Sequence, residues 1–335
     1  MFQFAIVGCG RIAPRHAENI NKIGRVKAVC DIDKEKADKL AKEYNATAYY
    51  SIDELLHNEK EIDVVSVCTP NGFHAEHTIK SLQAGKNVLC EKPLCITAAA
   101  AWQIIETEKF SRRKLFVVKS TRYNPLLQQL KGLVSQNKLG EIYSFNLNCL
   151  WNRPAHYYSD WRGKQFPDGG TLYTQFSHYI DALLWLLGDI QEVKGFAANK
   201  AHQNQIEFED TGVAALKLHS GVLGALHWTV NTFEKNSEIN LTIIAEKGTI
   251  SLGGEYLNEI RYQQLQEPLL APGIQKGPNQ YGFYTGSMSN HEEVYENLVQ
   301  ALNDSKHPFT SAMDGLKTVE AIEKIYKAVN LPLEV

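Results

Sequence analysis

Residues 2–13 read F-Q-F-A-I-V-G-C-G-R-I-A, an apolar strand-like run followed by a glycine-rich turn and the start of a helical pattern. The turn contains the motif G-x-G-x-x-A, which loops also produce by chance. Here the motif follows a strand, opens a helix, and is followed by an acidic residue, Asp31, 21 positions after Gly10. This combination is the complete dinucleotide-binding fingerprint, and it predicts a parallel α/β nucleotide-binding domain.

Each position of the turn has a physical task. Gly8 permits the tight bend, Gly10 lets the main chain approach a pyrophosphate, and Ala13 allows the helix to pack closely on the strand. We expect the pyrophosphate at the positive end of the helix, in a loop that also includes Arg11 and Ile12.

The residue at position 31 selects between the two nicotinamide cofactors. The Asp31 carboxylate accepts hydrogen bonds from a free ribose 2′-OH but repels the 2′-phosphate of NADP. At about 4 Å and an effective dielectric constant of about 20, each unit of like charge costs on the order of 4 kcal/mol. Asp33 adds negative charge nearby, and no arginine follows immediately. The sequence therefore predicts NAD as the cofactor.

The composition is that of an ordinary globular protein. The 335 residues are 44% apolar and 22% charged, and because the chain is too long for one core, two domains are expected. A net charge of −3 with mixed signs offers no basic surface for nucleic acid or for a membrane. We expect a cytoplasmic protein, since no window reaches 18 uncharged apolar residues and no signal peptide follows Met1.

The cysteines are scattered along the chain. None forms a C-x-x-C pair or lies at zinc-ligand spacing from a histidine, so we predict buried, reduced thiols and no metal site. The six are Cys9, Cys30, Cys68, Cys90, Cys95 and Cys149.

Strand and helix patterns alternate through residues 1–122, which predicts a doubly wound parallel sheet, the NAD-binding Rossmann domain. Residues 123–335 are expected to form a second α/β domain for substrate binding, because long runs with two-residue alternation indicate a large open, mainly antiparallel sheet. Its strands are predicted at residues 142–151, 193–198, 211–219, 222–230 and 241–252, with helices at 125–137, 290–303 and 312–329 and a long loop at 266–286.

The run at residues 222–230 is apolar on both faces, with Leu226 and Trp228 on one and Leu223 on the other. A sheet that helices cover on one side usually hides an apolar second face in a subunit contact. We therefore predict a homodimer or homotetramer that packs through residues 211–252.

Residues 87–94, N-V-L-C-E-K-P-L, read as the end of a buried strand followed by Glu91, Lys92 and Pro93. Ligands bind at the carboxyl ends of parallel strands, and Pro93 biases Lys92 away from helical geometry. Lys92 is therefore expected to enter the cofactor cleft, although a surface lysine at a strand-to-loop corner accounts equally well for these eight residues alone.

The preceding strand ends in Thr69-Pro70-Asn71, which turns into a helix that carries His74 and His77. Residues at such a strand end line the cofactor cleft, so this turn and His74, beside the nicotinamide ribose, are candidate cofactor contacts. From the sequence alone, a solvent-facing helix position is the better account of both histidines.

Residues 168–188 form the other informative stretch, in which Gly169 and Gly170 precede a helix with an apolar stripe. We expect these glycines to leave the start of the helix open to a ligand. A lone helical histidine is most often structural, but His178 gains weight because the nucleotide domain offers no base of its own. The second face of the helix carries Thr174, His178, Asp181 and Trp185.

Taken together, these motifs resemble the Gfo/Idh/MocA family of NAD(P)-dependent oxidoreductases over nearly the whole chain. The Glu-Lys-Pro triplet combined with the second-domain histidine is specific to the family, whereas the glycine motif alone is not. The matching segments are residues 8–13, 69–74, 91–93 and 169–181.

The resemblance implies oxidation of a ring or polyol hydroxyl. Lys92 would orient and polarise that hydroxyl, His178 would be the general base, and Glu91 and Lys92 would also contact the cofactor. We expect Lys92 and His178 to reach one cleft from different domains. These residue types suit the chemistry, because histidine removes a proton near pH 7 and an ammonium stabilises a developing alkoxide.

Within the family, residues 121–125 and 161–163 look most like the dehydrogenases that oxidise C3 of UDP-N-acetylglucosaminuronic acid on the way to diamino sugars of surface polysaccharide. Arginines at such a site suit a carboxylate or a diphosphate, because guanidinium binds these groups through two parallel hydrogen bonds. The candidate substrate contacts are Lys92, Arg122, Tyr123, Arg153, Trp161, Arg162, Thr174 and His178.

Thr174 departs from the family pattern. Many sugar and inositol dehydrogenases of the family carry Asp four residues before the histidine, and the UDP-sugar branch tends to carry Asn. A threonine there leaves the substrate subclass open and suggests that no second carboxylate serves in the proton path.

Two other functions stay open from the sequence. A dehydrogenase of a free sugar, inositol or related polyol uses the same chemistry, and an NAD-binding regulator without turnover belongs to a different class. Loss of Lys92 or His178 would favour the regulator, and both are present.

Overall fold

The structure is a computed structural model that describes residues 1–266, 271, 277–280 and 285–329. Packing divides the chain into two compact units, which are described separately. The first comprises Met1–Lys119 and His291–Val319, and the second comprises Ser120–Asn290 and Glu320–Val335.

Six parallel strands form the sheet of the first unit. They are β1 (Phe2–Val7), β2 (Gly24–Cys30), β3 (Thr47–Tyr49), β4 (Val64–Val67), β5 (Asn87–Cys90) and β6 (Leu115–Val117). Their order is β3-β2-β1-β4-β5-β6, and each neighbouring pair is parallel. β4 and β6 are buried along their whole length, as expected of strands that have helices on both faces. The predicted Rossmann sheet is confirmed.

Helices connect these strands and cover the sheet. They are α1 (Ala13–Ile23), α2 (Lys34–Tyr44), α3 (Ile52–Asn58), α4 (His74–Gln83) and α5 (Ala98–Ser111). α1 begins directly after the glycine turn, and a short 3₁₀ segment, Asn71–Phe73, leads into α4. The turns that follow β1, β4 and β5 all lie at the carboxyl edge of the sheet, since the three strands are parallel.

Seven strands form the sheet of the second unit. They are β7 (Ile142–Leu150), β8 (Ile190–Ala198), β9 (Thr211–Leu218), β10 (Leu223–Thr229), β11 (Glu238–Ala245), β12 (Gly248–Gly253) and β13 (Glu259–Leu265). Their order is β13-β12-β11-β7-β10-β9-β8, and every pair except β7 with β10 is antiparallel. The predicted large, mainly antiparallel sheet is confirmed. The sequence did not reveal β13, because this edge strand is mostly polar and exposed.

One face of this sheet is buried and the other is open in the single chain. Leu226 and Trp228, which the alternation places on one face of β10, lie on the buried face. On the open face, Leu223 of β10 is in register with Ser144 of β7 and is 57% exposed, and Phe196 of β8 is 81% exposed.

The helices of the second unit are α6 (Pro125–Ser135), α7 (Gln165–Asp168) and α8 (Ser177–Leu187). Part of the predicted loop at residues 266–286 lies outside the described residues. The described part contains a two-stranded antiparallel sheet of β14 (Pro278–Gln280) and β15 (Thr285–Met288), so the expectation of a loop is wrong there.

The last two helices, α9 (His291–Asn303) and α10 (Ala312–Ala328), correct the predicted extent of the second domain, which was expected to include all of residues 123–335. α9 belongs to the first unit, where the ring of Tyr295 packs edge-on against Phe4 of β1. α10 begins in the first unit and ends in the second. The sequence predicts a boundary where its pattern changes, but it does not show that a later helix returns to the first core.

Two other expectations can be compared with the described residues. All six cysteines are free and buried, as predicted. No helix in the described part of the chain is long and apolar enough to cross a membrane.

Candidate active site

The glycine turn after β1 is built around the close approach of two main chains. Gly8 has a φ of +95°, and a Cβ at this position would lie 2.6 to 2.7 Å from main-chain atoms of Cys68 and Thr69. Only glycine fits both the conformation and the contact. Gly10 is exposed, and a Cβ on it would meet no atom within 4 Å among the described residues, so the space beside it is open. Both glycines therefore suit a bound pyrophosphate.

Asp31 follows β2 and is held against this turn. One carboxylate oxygen accepts the main-chain N–H of Cys9 at 2.7 Å, and the other accepts that of Asp33 at 2.9 Å. Each oxygen keeps further acceptor capacity for ribose hydroxyls. Asp33 caps α2 and forms an ion pair with Lys36 at 2.8 Å, so its charge is less available to the cofactor site than the sequence suggested.

The Thr69-Pro70-Asn71 turn is tied to the Glu-Lys-Pro segment by His74. The ring of His74 is buried, with Nδ1 2.6 Å from the carbonyl oxygen of Pro93 and Nε2 2.7 Å from that of Thr69. The expectation of a solvent-facing His74 is therefore wrong, and burial lowers the pKa of its imidazole. His77 is half-buried, and its Nδ1 lies 3.0 Å from the Thr69 hydroxyl.

Lys92 lies two residues beyond the end of β5 and is half-buried, at the strand end where the sequence placed it. Glu91 is buried, and its carboxylate contacts the rings of His16 and His291 at 2.9 and 3.1 Å. The Glu91 carboxylate is thus hydrogen-bonded to protein side chains, and these contacts do not favour the predicted direct contact with the cofactor.

The segment that carries His178 is not one continuous α-helix. Residues Leu172–Phe176 form a π-helical turn, and α8 starts at Ser177. The predicted continuous helix is therefore interrupted at Thr174, four residues before His178, and π-helical turns are frequent at functional sites. His178 itself is 5% exposed, in the first turn of α8.

Gly170 is not open to a ligand, which corrects the sequence expectation. Its φ is +127°, and a Cβ there would lie 2.4 Å from the hydroxyl of Tyr326. That hydroxyl accepts the N–H of Leu172 at 2.9 Å and donates to Oε1 of Glu209 at 2.9 Å. The glycine therefore admits a tyrosine from α10 to the start of the helix.

Thr174 contacts a carboxylate, although its own side chain is not one. Its hydroxyl donates a hydrogen bond to Oδ1 of Asp168, and Oδ2 accepts the N–H of Gly163 at 2.8 Å. Asp168 is buried, and burial raises the pKa of its carboxyl to about 6. An ionisable carboxyl group therefore contacts Thr174, the position from which the sequence suggested that no second carboxylate serves in the proton path.

The candidate arginines are engaged with protein groups to different degrees. Arg122 forms a bidentate ion pair with Asp181, in which Nε lies 2.8 Å from Oδ2 and Nη2 lies 2.9 Å from Oδ1. Arg153 is 2% exposed, and its guanidinium donates to Gln175 at 2.6 Å, so the predicted substrate contact is a core residue. A buried arginine with side-chain partners has no signature in a local sequence pattern.

Arg162 is held by aromatic rings and a carboxylate, and its side chain is 11% exposed. Its guanidinium lies over the rings of Trp161 and Tyr157, 4.6 and 5.0 Å from their centres, and contacts the Asp160 carboxylate. Trp161 and Tyr123 are half-buried. Stacking on two rings pre-orients the planar guanidinium for an anionic ligand.

Comparison with known proteins supports a dehydrogenase. Residues 2–119 match the oxidoreductase family GFO_IDH_MocA, NAD-binding Rossmann fold, and residues 127–251 match the GFO/IDH/MocA C-terminal domain. The structure of the WlbA dehydrogenase from Bordetella pertussis, in complex with NADH and UDP-GlcNAcA, is similar with a TM-score of 0.89 and 31% identity, covering 100% of this chain and 99% of that chain.

Curated relatives differ in their substrates. A D-glucoside 3-dehydrogenase of Escherichia coli K12 is 33% identical over 188 residues, which span only about half of each protein, 55% of this chain and 53% of the relative. An inositol 2-dehydrogenase of Saccharopolyspora erythraea is 28% identical over 78% of this chain and 76% of the relative.

Proposed function

The chain belongs to the Gfo/Idh/MocA family of NAD-dependent oxidoreductases, and on that premise we propose that it oxidises C3 of a UDP-linked N-acetylglucosaminuronic acid for diamino sugars of surface polysaccharide. The observation that carries the proposal is similarity over the full length to a dehydrogenase whose structure holds NADH and UDP-GlcNAcA. The shorter alignment to the D-glucoside 3-dehydrogenase supports C3 as the ring carbon that is oxidised.

In this proposal the first unit holds NAD, which accepts the hydride when bound. Residues 8–13 face its pyrophosphate, the Asp31 carboxylate accepts the ribose hydroxyls, and the turn at residues 69–71 lies beside the nicotinamide end. The open space at Gly10 and the orientation of Asp31 toward the same turn support this assignment.

Lys92 and His178 are the proposed catalytic residues. The hydride leaves a carbinol carbon only as the hydroxyl loses its proton, and His178 accepts that proton. The Lys92 ammonium stabilises the negative charge that develops on the oxygen. Lys92 belongs to the first unit and His178 to the second.

Substrate recognition is assigned to the second unit. Arg162, stacked on Trp161, is the proposed partner of the diphosphate or the uronic carboxylate, because its fork binds two oxygens of either group. Arg122, which Asp181 holds in a bidentate ion pair, is a second candidate partner for these anionic groups. Thr174 is the proposed contact of a sugar hydroxyl, since donation to Asp168 orients its oxygen as an acceptor.

We also propose that the open face of the second sheet is the subunit contact of a homodimer or homotetramer. Leu223 and Phe196 are exposed on it in the single chain, and apolar exposure on one side of a sheet is a mark of an interface.

One alternative substrate class is favoured by a specific observation. The similarity to an inositol 2-dehydrogenase covers three quarters of each protein, and a polyol hydroxyl requires the same base and ammonium. In that case Arg162 would have no anionic group to bind.

Stopped-flow absorbance of NAD reduction separates the two substrate classes. The NAD-loaded protein is mixed in turn with UDP-N-acetylglucosaminuronic acid, with UDP-N-acetylglucosamine, which lacks the carboxylate, with a methyl glucoside and with inositol. We expect reduction with the first, at least tenfold slower reduction with the second, and none with the last two. Arg162→Ala should remove the discrimination between the first two if Arg162 binds the carboxylate, and should slow reduction with both by a similar factor if it binds the diphosphate. Reduction with inositol or glucoside alone would refute the substrate assignment.

A further inference from the structure

Beneath the Glu-Lys-Pro segment lies a buried hydrogen-bonded group, here named the Glu91 cluster, which consists of His16, Ser66, Glu91, His291 and Tyr295. All five residues are 7% exposed or less, and all belong to the first unit. The rings of His16 and His291 both lie against Oε1 of Glu91, at 2.9 and 3.1 Å. Nothing in the proposed chemistry uses these histidines directly.

The contacts assign the protons of the cluster. Because Oε1 of Glu91 can only accept, each histidine donates through Nε2. Nδ1 of His16 is then an acceptor, 2.7 Å from the hydroxyl of Tyr295, whose oxygen lies 3.0 Å from that of Ser66. Nδ1 of His291 has no hydrogen-bond partner among the described residues, which suits a bare lone pair better than a buried N–H.

This arrangement holds Glu91 ionised, with both histidine rings against its Oε1. Burial raises the pKa of Glu91, but the hydrogen bonds from His16 and His291 outweigh it and keep the pKa well below its usual range. Burial lowers the pKa of His16. A buried carboxylate with this set of donors is fixed in one orientation, because leaving any donor unpaired is costly.

The second carboxylate oxygen of Glu91 connects the cluster to the main chain of Lys92. Oε2 accepts the main-chain N–H of Lys92 at 3.0 Å. On the other side of Lys92, the carbonyl oxygen of Pro93 lies 2.6 Å from His74. The main chain on both sides of the lysine is therefore held by buried side chains from α1, α4 and α9.

We propose that the Glu91 cluster is a positioning device for Lys92, with His291 of α9 as its closing member. The cluster sets the main-chain orientation at the end of β5 and hence the direction in which the Lys92 side chain leaves. The return of α9 to the first unit then has a functional consequence, because it delivers His291 to a carboxylate 200 positions earlier. The importance of Lys92 rests on the proposed function, whereas its anchoring does not.

The cluster also contains residue types that bind metal ions, so metal binding is the alternative to the positioning role. The donor atoms of His16, Glu91 and His291 lie within 4.8 Å of one another. The hydrogen bonds account for all three groups without an ion. Stoichiometric zinc or iron in the purified protein, lost in a His291 variant, would overturn the positioning role.

The test uses three variants of the full chain. His291→Leu removes the donor to Glu91, His291→Gln keeps an N–H donor, and His307→Leu is the matched control, since His307 is half-buried in the same unit and bonded to Asn297 outside the cluster. Hydrogen exchange of the Lys92 amide, measured by mass spectrometry on overlapping peptides, needs no substrate. Single-turnover NAD reduction with UDP-N-acetylglucosaminuronic acid measures the effect on hydride transfer.

We expect His291→Leu to speed exchange at Lys92 about tenfold or more and to slow hydride transfer by a similar factor, as one hydrogen bond to a charged group is lost. NAD affinity should stay within threefold. His291→Gln should restore both rates, and His307→Leu should change neither. If His291→Leu does not fold, Tyr295→Phe, which removes only the hydroxyl that donates to His16, should show the same pattern more weakly.

Unchanged exchange at Lys92 in folded His291→Leu would overturn the inference, as would a His291→Gln variant as impaired as His291→Leu. Absence of turnover in the unmodified protein would count against the proposed function only, because the exchange experiment does not depend on a substrate.

Discussion

Glu209→Gln is predicted to stabilise the protein, and to do so more as the pH rises. Glu209 is 1% exposed in the second unit, and its Oε1 accepts from the indole of Trp228 at 3.1 Å and from the Tyr326 hydroxyl. Oε2 has no hydrogen-bond partner among the described residues. Burial raises the pKa of this carboxyl from an ordinary 4.5 to about 8.

The sign follows from proton binding. Because the pKa in the folded state is raised, the folded protein keeps a proton that the unfolded chain releases between about pH 4.5 and pH 8. Stability from this group is therefore present at low pH and is lost as the pH rises through that window. Over pH 5 to pH 8 the loss amounts to about 3 to 4 kcal/mol, at about 1.4 kcal/mol per pH unit. Glutamine does not titrate, keeps an acceptor for both donors, and escapes this loss.

Equilibrium unfolding in urea, followed by tryptophan fluorescence at several pH values, measures the difference. Four of the five tryptophans, including Trp228, lie in the second unit, so the signal reports mainly on the unit that contains Glu209. The free energy of unfolding of Glu209→Gln relative to the unmodified protein should rise by about 3 kcal/mol from pH 5 to pH 8. Glu207→Gln, an exposed neighbour on the same segment, is the control and should show no such rise. Parallel pH profiles for Glu209→Gln and the unmodified protein would refute the buried, protonated carboxyl.

Three further predictions concern cofactor, catalysis and assembly. Calorimetry should show that the protein binds NAD about tenfold or more tightly than NADP, because the Asp31 carboxylate repels the 2′-phosphate, and Asp31→Ala should reduce this difference in affinity. Equal affinities for the two cofactors in the unmodified protein would contradict the repulsion at Asp31. In single-turnover experiments, His178→Asn should slow hydride transfer about 10²-fold to 10⁴-fold, and Lys92→Ala should slow it by a comparable factor, while the affinity for NAD stays within a few-fold. The double variant should be little slower than the slower single variant. Near-normal hydride transfer in His178→Asn would show that His178 has a structural role. Sedimentation velocity at micromolar concentration should show a dimer or tetramer that Leu223→Glu or Phe196→Glu dissociates; a monomeric unmodified protein would contradict the proposed interface.

The features that were predicted correctly depend on short stretches of chain. The turn at Gly8 and Gly10, the acidic residue after β2, and the lysine beyond β5 each follow from a strand, a turn and a helix adjacent in sequence. The alternation of strands and helices predicts the parallel sheet, and two-residue alternation predicts the antiparallel one. Free buried cysteines follow from the absence of paired spacing.

The features that were missed depend on contacts between distant positions. His74 was assigned to solvent, yet it is buried between two carbonyl groups. Gly170 was expected to face a ligand, but it accommodates Tyr326, 156 positions later. Arg153 was expected at the substrate and lies in the core. In each case a polar residue or a glycine has several possible environments, and its immediate neighbours in sequence do not select one.

The sequence by itself determined the class of each domain, the cofactor and the strand end that carries Lys92, because element type and glycine geometry are encoded by periodicity and local conformation. Only the tertiary structure decided which polar side chains surround those positions. His16 and His291 contact Glu91 from 75 and 200 positions away, and Asp168 accepts from Thr174 across a turn that is not α-helical. A buried hydrogen bond requires a partner of the right kind at about 3 Å, and for these groups that distance is set by how the helices pack on the sheet and not by any pattern along the chain.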